Sequence, residues 1–254
     1  MTVTFLGTGT SQGVPVIACD CDVCRSIDFK DKRLRTSVLI ETDDQQIVID
    51  TGPDFRQQML LNRVQNLTAA VYTHQHKDHT AGMDDIRSFN FKQGHKIPIY
   101  ARRDVMEQLV QEYSYVFAEH KYPGIPKIEA IEIENNPFKI GSTEIIPIEV
   151  WHHKLSVFGF RIKDFTYITD ANRISEVEMK KAVGSKVLVL NALRKESHIS
   201  HFTLDEAVEV AQEIGAEMTY LTHISHGLGK HRDVTGELPE NIRLAYDGLK
   251  IRLN

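Results

Sequence analysis

The chain has 254 residues, 41% hydrophobic and 26% charged, with 15 glycines and 8 prolines, an ordinary composition for a soluble α/β protein that buries a sizeable core. A formal net charge of −5 disfavours a long nucleic acid as obligate partner, because such polyanions are usually met by a basic face. No apolar run reaches the roughly 18 residues of a membrane span and no basic, apolar leader opens the chain, so no membrane partner and a cytoplasmic location are expected.

Val3 to Leu6 reads as a short strand running into the glycine-rich loop Gly7 to Gly13, which lacks the following Gly-Lys-Ser/Thr of a phosphate-cradling loop. All three cysteines then fall within six residues, Cys19, Cys21 and Cys24, in a loop spanning residues 18–26. Clustered thiolates at this spacing favour a closed tetrahedral zinc site over disulfides, and His226 is a candidate fourth ligand. Lys30, Lys32, Arg33 and Arg35 form the only dense basic cluster and read as a solvated turn before a strand. Thr36 to Glu41 and Gln46 to Asp50 predict a hairpin turning at Asp43-Asp44, followed by a helix from Asp54 to Leu61.

Ala69 to Tyr72 is a buried strand that ends at Thr73-His-Gln-His-Lys-Asp-His79, three histidines and an aspartate within six residues. Imidazole and carboxylate suit zinc, manganese or iron, and four donors exceed one open catalytic site, so two ions are expected. His74 and His76 would face the first ion, Asp78 and His79 the second. Further on, Ile97 to Ala101 is a strand and Arg102 to His120 a helix with Val105, Leu109, Val110 and Tyr113 inward. Strands follow at Ile128 to Ile133 and Thr143 to Val150, the latter leading into Trp151-His152-His153. A hairpin, Phe158 to Ile162 and Phe165 to Thr169, turns at Lys163-Asp164 and delivers Asp170, a carboxylate able to bridge two cations about 3.5–4 Å apart. Lys186 to Asn191 is a buried strand. His201 precedes a helix opened by a Thr203/Glu206 capping box, with Ala207, Val210, Ala211 and Ile214 inward. Met218 to Leu221 is a strand presenting His223, and a helix from Leu238 to Ala245 and a strand from Leu249 to Leu253 close the chain. Two β-rich halves with ligands at their strand ends make residues 1–254 a single sandwich domain.

His74-Gln-His76-Lys-Asp78-His79 resembles the His-x-His-x-Asp-His signature of the metallo-β-lactamase superfamily, mostly hydrolases with a four-layer αββα sandwich. The Cys-x-Cys-x-x-Cys insert is similar to that of the PhnP-type phosphodiesterases, as is Gly82-Met-Asp84-Asp85-Ile-Arg87. The resemblance implies His74, His76 and His153 on one ion, with His153 preferred to His152 by alignment on Phe158-Gly159. It implies Asp78, His79 and His223 on the other, and Asp170 between them. Asp50 would orient a ligand histidine from behind, and Asp85 is kept as a second group supporting ligands or substrate. Cys19, Cys21, Cys24 and His226 would hold a structural zinc. The residues assigned to catalysis are Asp78 and His201, the latter protonating the departing oxygen.

The reaction expected from the resemblance is dinuclear hydrolysis of a small or cyclic ribose phosphodiester, with zinc or manganese activating a bridging water. Alternatives in the same fold are an RNA 3′-processing nuclease, a thioester or lactone hydrolase, and a non-catalytic binding protein of cofactor biosynthesis. Analogy with relatives adds a homodimer.

Overall fold

The buried strands carry apolar side chains on both faces, and the layer order follows from that. The computed structural model describes residues 1–42, 44–119 and 122–253. In it, β3 (Gln46–Ile49) sends Ile47 and Ile49 into one apolar cluster and Val48 into another. β12 (Val187–Asn191) does the same: Val187 and Val189 join Ile47 and Ile49, while Leu188 and Leu190 meet a third cluster. A period of two with both faces buried yields a continuous apolar run, and such strands need cover on each side. The middle cluster packs sheet on sheet through Phe5, Phe158, Phe160 and Tyr167; the outer two pack helices on each sheet. The result is a four-layer αββα sandwich. Each such buried side chain contributes about 1.5–3 kcal/mol of transfer free energy.

Among the described residues the first sheet runs β15 (Lys250–Arg252), β1 (Thr2–Gly7), β2 (Ser37–Glu41), β3, β4 (Ala69–Val71), β5 (Ile97–Ala101), β6 (Ile128–Glu132). The pairs up to β2·β3 are antiparallel, and those from β3 to β6 are parallel. The second sheet runs β11 (Arg173–Ile174), β8 (Thr143–His152), β9 (Leu155–Ile162), β10 (Phe165–Tyr167), β12, β13 (Met218–Thr222), β14 (Ile242–Leu244), with β7 (Phe138–Ile140) on β8. From β10 to β14 it is parallel. Helices α1 (Phe55–Leu61), α2 (Lys77–Thr80), α3 (Arg87–Gln93), α4 (Arg103–Glu112) and α5 (Ser114–Phe117) belong to the first half. Helices α6 (Glu176–Ala182), α7 (Leu204–Ile214) and α8 (His231–Thr235) belong to the second.

Three local expectations change. The helix foreseen from Arg102 to His120 stops at Glu112 and restarts as α5, because Tyr113 leaves helical backbone (φ −108°, ψ 40°) and its hydroxyl donates to the Thr80 carbonyl at 2.9 Å. His120 lies outside the described residues, as does Asp43 of the foreseen hairpin turn. The helix expected from Leu238 to Ala245 is instead strand β14, where Ile242 and Leu244 alternate inward and pair with β13. The short helix of that region is α8, earlier in the chain. The strand expected to end at Val150 continues through His152, paired with Leu155.

Candidate metal centre

Parallel pairing puts the C-terminal ends of β3 and β4 at one edge of the first sheet, and those of β10, β12 and β13 at one edge of the second. The residues just past those ends converge. His74, His76 and His152 form one group whose ligand atoms lie within 4.8 Å of one another; Asp78, His79, Asp170 and His223 form a second, and His152, Asp170 and His201 a third that overlaps both. His79 Nε2 is 3.2 Å from Asp78 Oδ2 and 3.3 Å from Asp170 Oδ2; His223 Nε2 is 3.2 Å from Asp170 Oδ1 and 3.7 Å from Asp78 Oδ2.

The hydrogen bonds behind these atoms decide which nitrogen faces inward. Buried Asp50 accepts from the Thr73 backbone N–H at 2.9 Å, the Thr73 hydroxyl at 2.8 Å and His79 Nδ1–H at 2.6 Å. That engages His79 Nδ1 and turns its Nε2 into the cluster, the arrangement of a metal-bound imidazole. The Thr73 hydroxyl has given its proton to Asp50, so at 3.0 Å its oxygen accepts from His74 Nδ1–H and His74 Nε2 is free. His74 Nε2 and His76 Nδ1 approach to 3.0 Å. His152 Nδ1–H donates to the Ser200 carbonyl at 2.8 Å, which aims its Nε2 at the cluster. His79 Nε2, His201 Nδ1 and both ring nitrogens of His223 are buried without a hydrogen-bond partner. Native interiors rarely leave such atoms orphaned, and divalent cations fit here: unpartnered ring nitrogens beside the Asp78 and Asp170 carboxylates.

The electrostatics couple the same groups to one another. Burial alone would raise the Asp78 carboxyl, yet neighbouring His79 and His223 hold it far below its ordinary value, and the same two imidazoles do so for Asp170; His79, against its own burial, is held well above its ordinary value by Asp78, Asp170 and Asp50. Burial lowers His74, and burial with neighbouring His152 lowers His76, so both are neutral donors. Burial and His223 push His201 down to about 3. The protonated His201 foreseen from sequence is therefore not its resting state.

Asp50, Asp170 and His223 all adopt left-handed backbone, with φ of 64°, 55° and 55°. For residues other than glycine this conformation costs on the order of 1–3 kcal/mol and concentrates at functional sites. Each sits where the chain leaves a strand, and the turn swings its side chain into the cluster.

His153 is a correction: its side chain is exposed at the β8–β9 turn and belongs to none of the three groups, while His152 does. With β8 extended through His152, the strand alternation that buries Ile148 and Val150 turns His152 inward as well. Asp85 is placed elsewhere too, lining an outer groove with Arg56, Phe89 and Lys92 and in none of the groups. Thr73 and the Ser200 carbonyl were missed. Thr73 had a signal, standing directly before the first histidine; a backbone carbonyl leaves none.

A second cluster joins distant segments. His226 Nδ1 lies 3.2, 3.4 and 3.5 Å from the sulfurs of Cys19, Cys21 and Cys24. The Cys24 backbone N–H helps lower Cys21 to about 6, while burial pushes Cys24 up to about 11. Three sulfurs and one imidazole nitrogen within 4.8 Å match the donor set of a closed tetrahedral zinc site.

Residues 45–224 match the sequence profile of the beta-lactamase superfamily domain. The structure is similar to a diphosphatase of the PhnP family, at TM-score 0.93 and 38% identity over 100% of this chain and 98% of that one. In sequence it is 36% identical over 253 residues, 98% of its length, to an octanoyltransferase of Porphyromonas gingivalis, and it spans about half (51%) of that relative. It is 25% identical over 266 residues to a ribonuclease Z of Pyrobaculum islandicum, covering 88% of this chain and 86% of that one.

Proposed function

The chain belongs to the metallo-β-lactamase superfamily, is PhnP-like within it and is a metal-dependent hydrolase, and from that premise we propose that it cleaves a small or cyclic ribose phosphodiester. The observation that carries the phosphodiester reading is His201, buried, unpartnered at Nδ1 and 3.9 Å from Asp170. A proton donor is needed there by an alkoxide leaving group. In this reading His74, His76 and His152 would hold one ion, Asp78, His79 and His223 the other, and Asp170 both. Zinc or manganese suits these donors. Two bound cations would lower the pKa of a water toward neutrality and offset charge on the phosphoryl oxygens.

The chain's own residues do the rest. Asp50, by accepting from His79 and Thr73, fixes two imidazoles; Ser200 fixes a third. An anionic phosphodiester beside His201 raises the basicity of its imidazole, and the imidazolium gives its proton to the departing oxygen, a contribution on the order of 10²–10⁴ in rate. Cys19, Cys21, Cys24 and His226 would hold a structural zinc that pins the N-terminal loop to the segment after β13. We also read the chain as a single domain, a cytoplasmic protein and a homodimer; no helix among the described residues is long and apolar enough to cross a membrane.

A second reading is hydrolysis of a thioester in the same fold; the octanoyltransferase, half of which this chain matches, is the relative whose name concerns an acyl group. Metal-reconstituted protein assayed against ribose cyclic phosphates, 2′,3′-cyclic nucleotides, a precursor tRNA and an octanoyl thioester separates them. Cleavage of a cyclic diester that slows in His201→Ala supports the first reading; turnover of the thioester alone replaces it with the second, and of the tRNA alone with a nuclease.

A further inference from the structure

The basic cluster at residues 30–35 is not the solvated turn its composition suggests. Arg33 is buried, at 4% exposure. Its guanidinium donates to the Thr8 hydroxyl at 2.8 Å, to the Ala245 carbonyl at 2.7 Å and, through Nη2, to His231 Nδ1 at 3.2 Å. Arg35 pairs with Asp54 at 3.0 Å and Lys32 donates to the Cys24 carbonyl at 3.0 Å. Lys30 alone faces elsewhere.

A guanidinium carries only donors, so the contact with Arg33 makes His231 Nδ1 an acceptor and puts the ring proton on Nε2. Burial, with Arg33 and Lys30 nearby, lowers this imidazole to about 4, which agrees with a neutral ring. His231 as a residue is only 7% exposed, and its Nε2–H has no hydrogen-bond partner among the described residues. A donor at a cavity wall that no protein acceptor engages is open to a ligand. The residue lines a cavity of about 440 Å³ whose other walls include Lys30, Arg243, Tyr220 and Tyr246.

The charge in this cavity is one-sided. No carboxylate lines it, and neither Lys30 nor Arg243 has a carboxylate within 4.0 Å among the described residues, although the chain as a whole is acidic. The Lys30 ammonium sits 4.8 Å over the Tyr246 ring. An ammonium, a guanidinium and an imidazole N–H directed into one space are the donors that bind phosphate oxygens. The volume exceeds what phosphate alone fills and lies in the range of small-molecule sites. None of its lining residues belongs to the His/Asp groups or to the cysteine cluster.

We propose that this cavity, walled by Lys30, His231, Arg243, Tyr220 and Tyr246, is a second binding site that takes a phosphomonoester of nucleotide size. The phosphoryl oxygens accept from His231 Nε2–H and from the two cations, while the tyrosine rings flank the organic part. Buried Arg33 holds the imidazole in the tautomer that makes this donor available.

The test is a titration of the metal-loaded protein at pH 7.5 with adenosine 5′-monophosphate, following histidine side chains by long-range 1H–15N NMR. The free protein should show His231 protonated at Nε2. Its signals should shift saturably with the nucleotide, and with inorganic phosphate at higher concentration. Arg243→Met, at an exposed strand position, and Lys30→Gln should each weaken the His231 response at least tenfold and leave metal content unchanged. Binding at the metal centre would move His223 in every variant and is read separately. No shift at His231 with either ligand, or a shift of unchanged affinity in both variants, would overturn the site. Equal affinity for phosphate and nucleotide would overturn the role given to the tyrosines.

Discussion

The two adjacent histidines at the end of β8 provide the sharpest test of the metal centre. His152 is buried with its Nδ1–H on the Ser200 carbonyl at 2.8 Å, so its Nε2 is oriented before any ion arrives. Losing only an outer partner of a ligand typically costs 10–100-fold in metal affinity. Removing the imidazole itself should cost more, so His152→Ala is expected to weaken one ion of the proposed pair by about 100-fold or more, roughly 2.7 kcal/mol at 1.36 kcal/mol per decade. His153 is exposed, and the contact it makes, backbone N–H to Asn172 Oδ1 at 2.9 Å, does not involve its side chain. Its φ of 58° makes asparagine the suitable replacement, since asparagine tolerates left-handed backbone. His153→Asn should bind both ions within a factor of about 2–3, the ordinary range for surface changes. Calorimetric titration of metal-stripped protein, with metal counts by mass spectrometry, reads both. If His153→Asn lost an ion while His152→Ala kept two, the inward assignment of His152 would be wrong.

Asp50→Asn should keep the fold's shape but lose the charge-assisted bond from His79, lowering metal affinity about 10–100-fold; unchanged affinity in calorimetry would remove Asp50 from its orienting role. Cys21→Ser should lower bound zinc by one equivalent and lower the melting temperature, and unchanged values of both would rule out the Cys/His zinc site. For His231 the folded value of about 4 lies below 6.5, so the fold favours the neutral ring. Its contribution, up to about 3 kcal/mol, is complete above pH 6.5 and is lost as the pH falls toward 4. Asp247, pushed up to about 6 by burial, acts with the opposite sign in that window, so the readout is the difference between wild type and His231→Gln. That difference should shrink on acidification, and a constant one would contradict the depressed value.

What could be read in advance depended on how local the physics was. The His74 to His79 run is legible because its donors are crowded in sequence, and the capping box at Thr203 and Glu206 because both partners lie within one turn. β3 and β12 are legible because burial on two faces leaves an unbroken apolar run. Alignment on Phe158-Gly159 points to His153, one residue out of step with His152, and in a strand one residue exchanges the buried face for the exposed one. Only the pairing of His152 with Leu155 fixes that register. The helix expected near the C-terminus failed for a related reason: Ile242 and Leu244 alternate over too few residues to announce a strand, and β13 supplies the missing partner. Arg33 is the furthest from its sequence reading. Three basic neighbours make it look solvated, yet its donors are satisfied by Thr8, Ala245 and His231, from segments at both ends of the chain. The same convergence fixes which His231 nitrogen carries the proton. A fact that needs three separate stretches of chain could not be read from any one of them, and it is where the structure adds a site the sequence did not suggest.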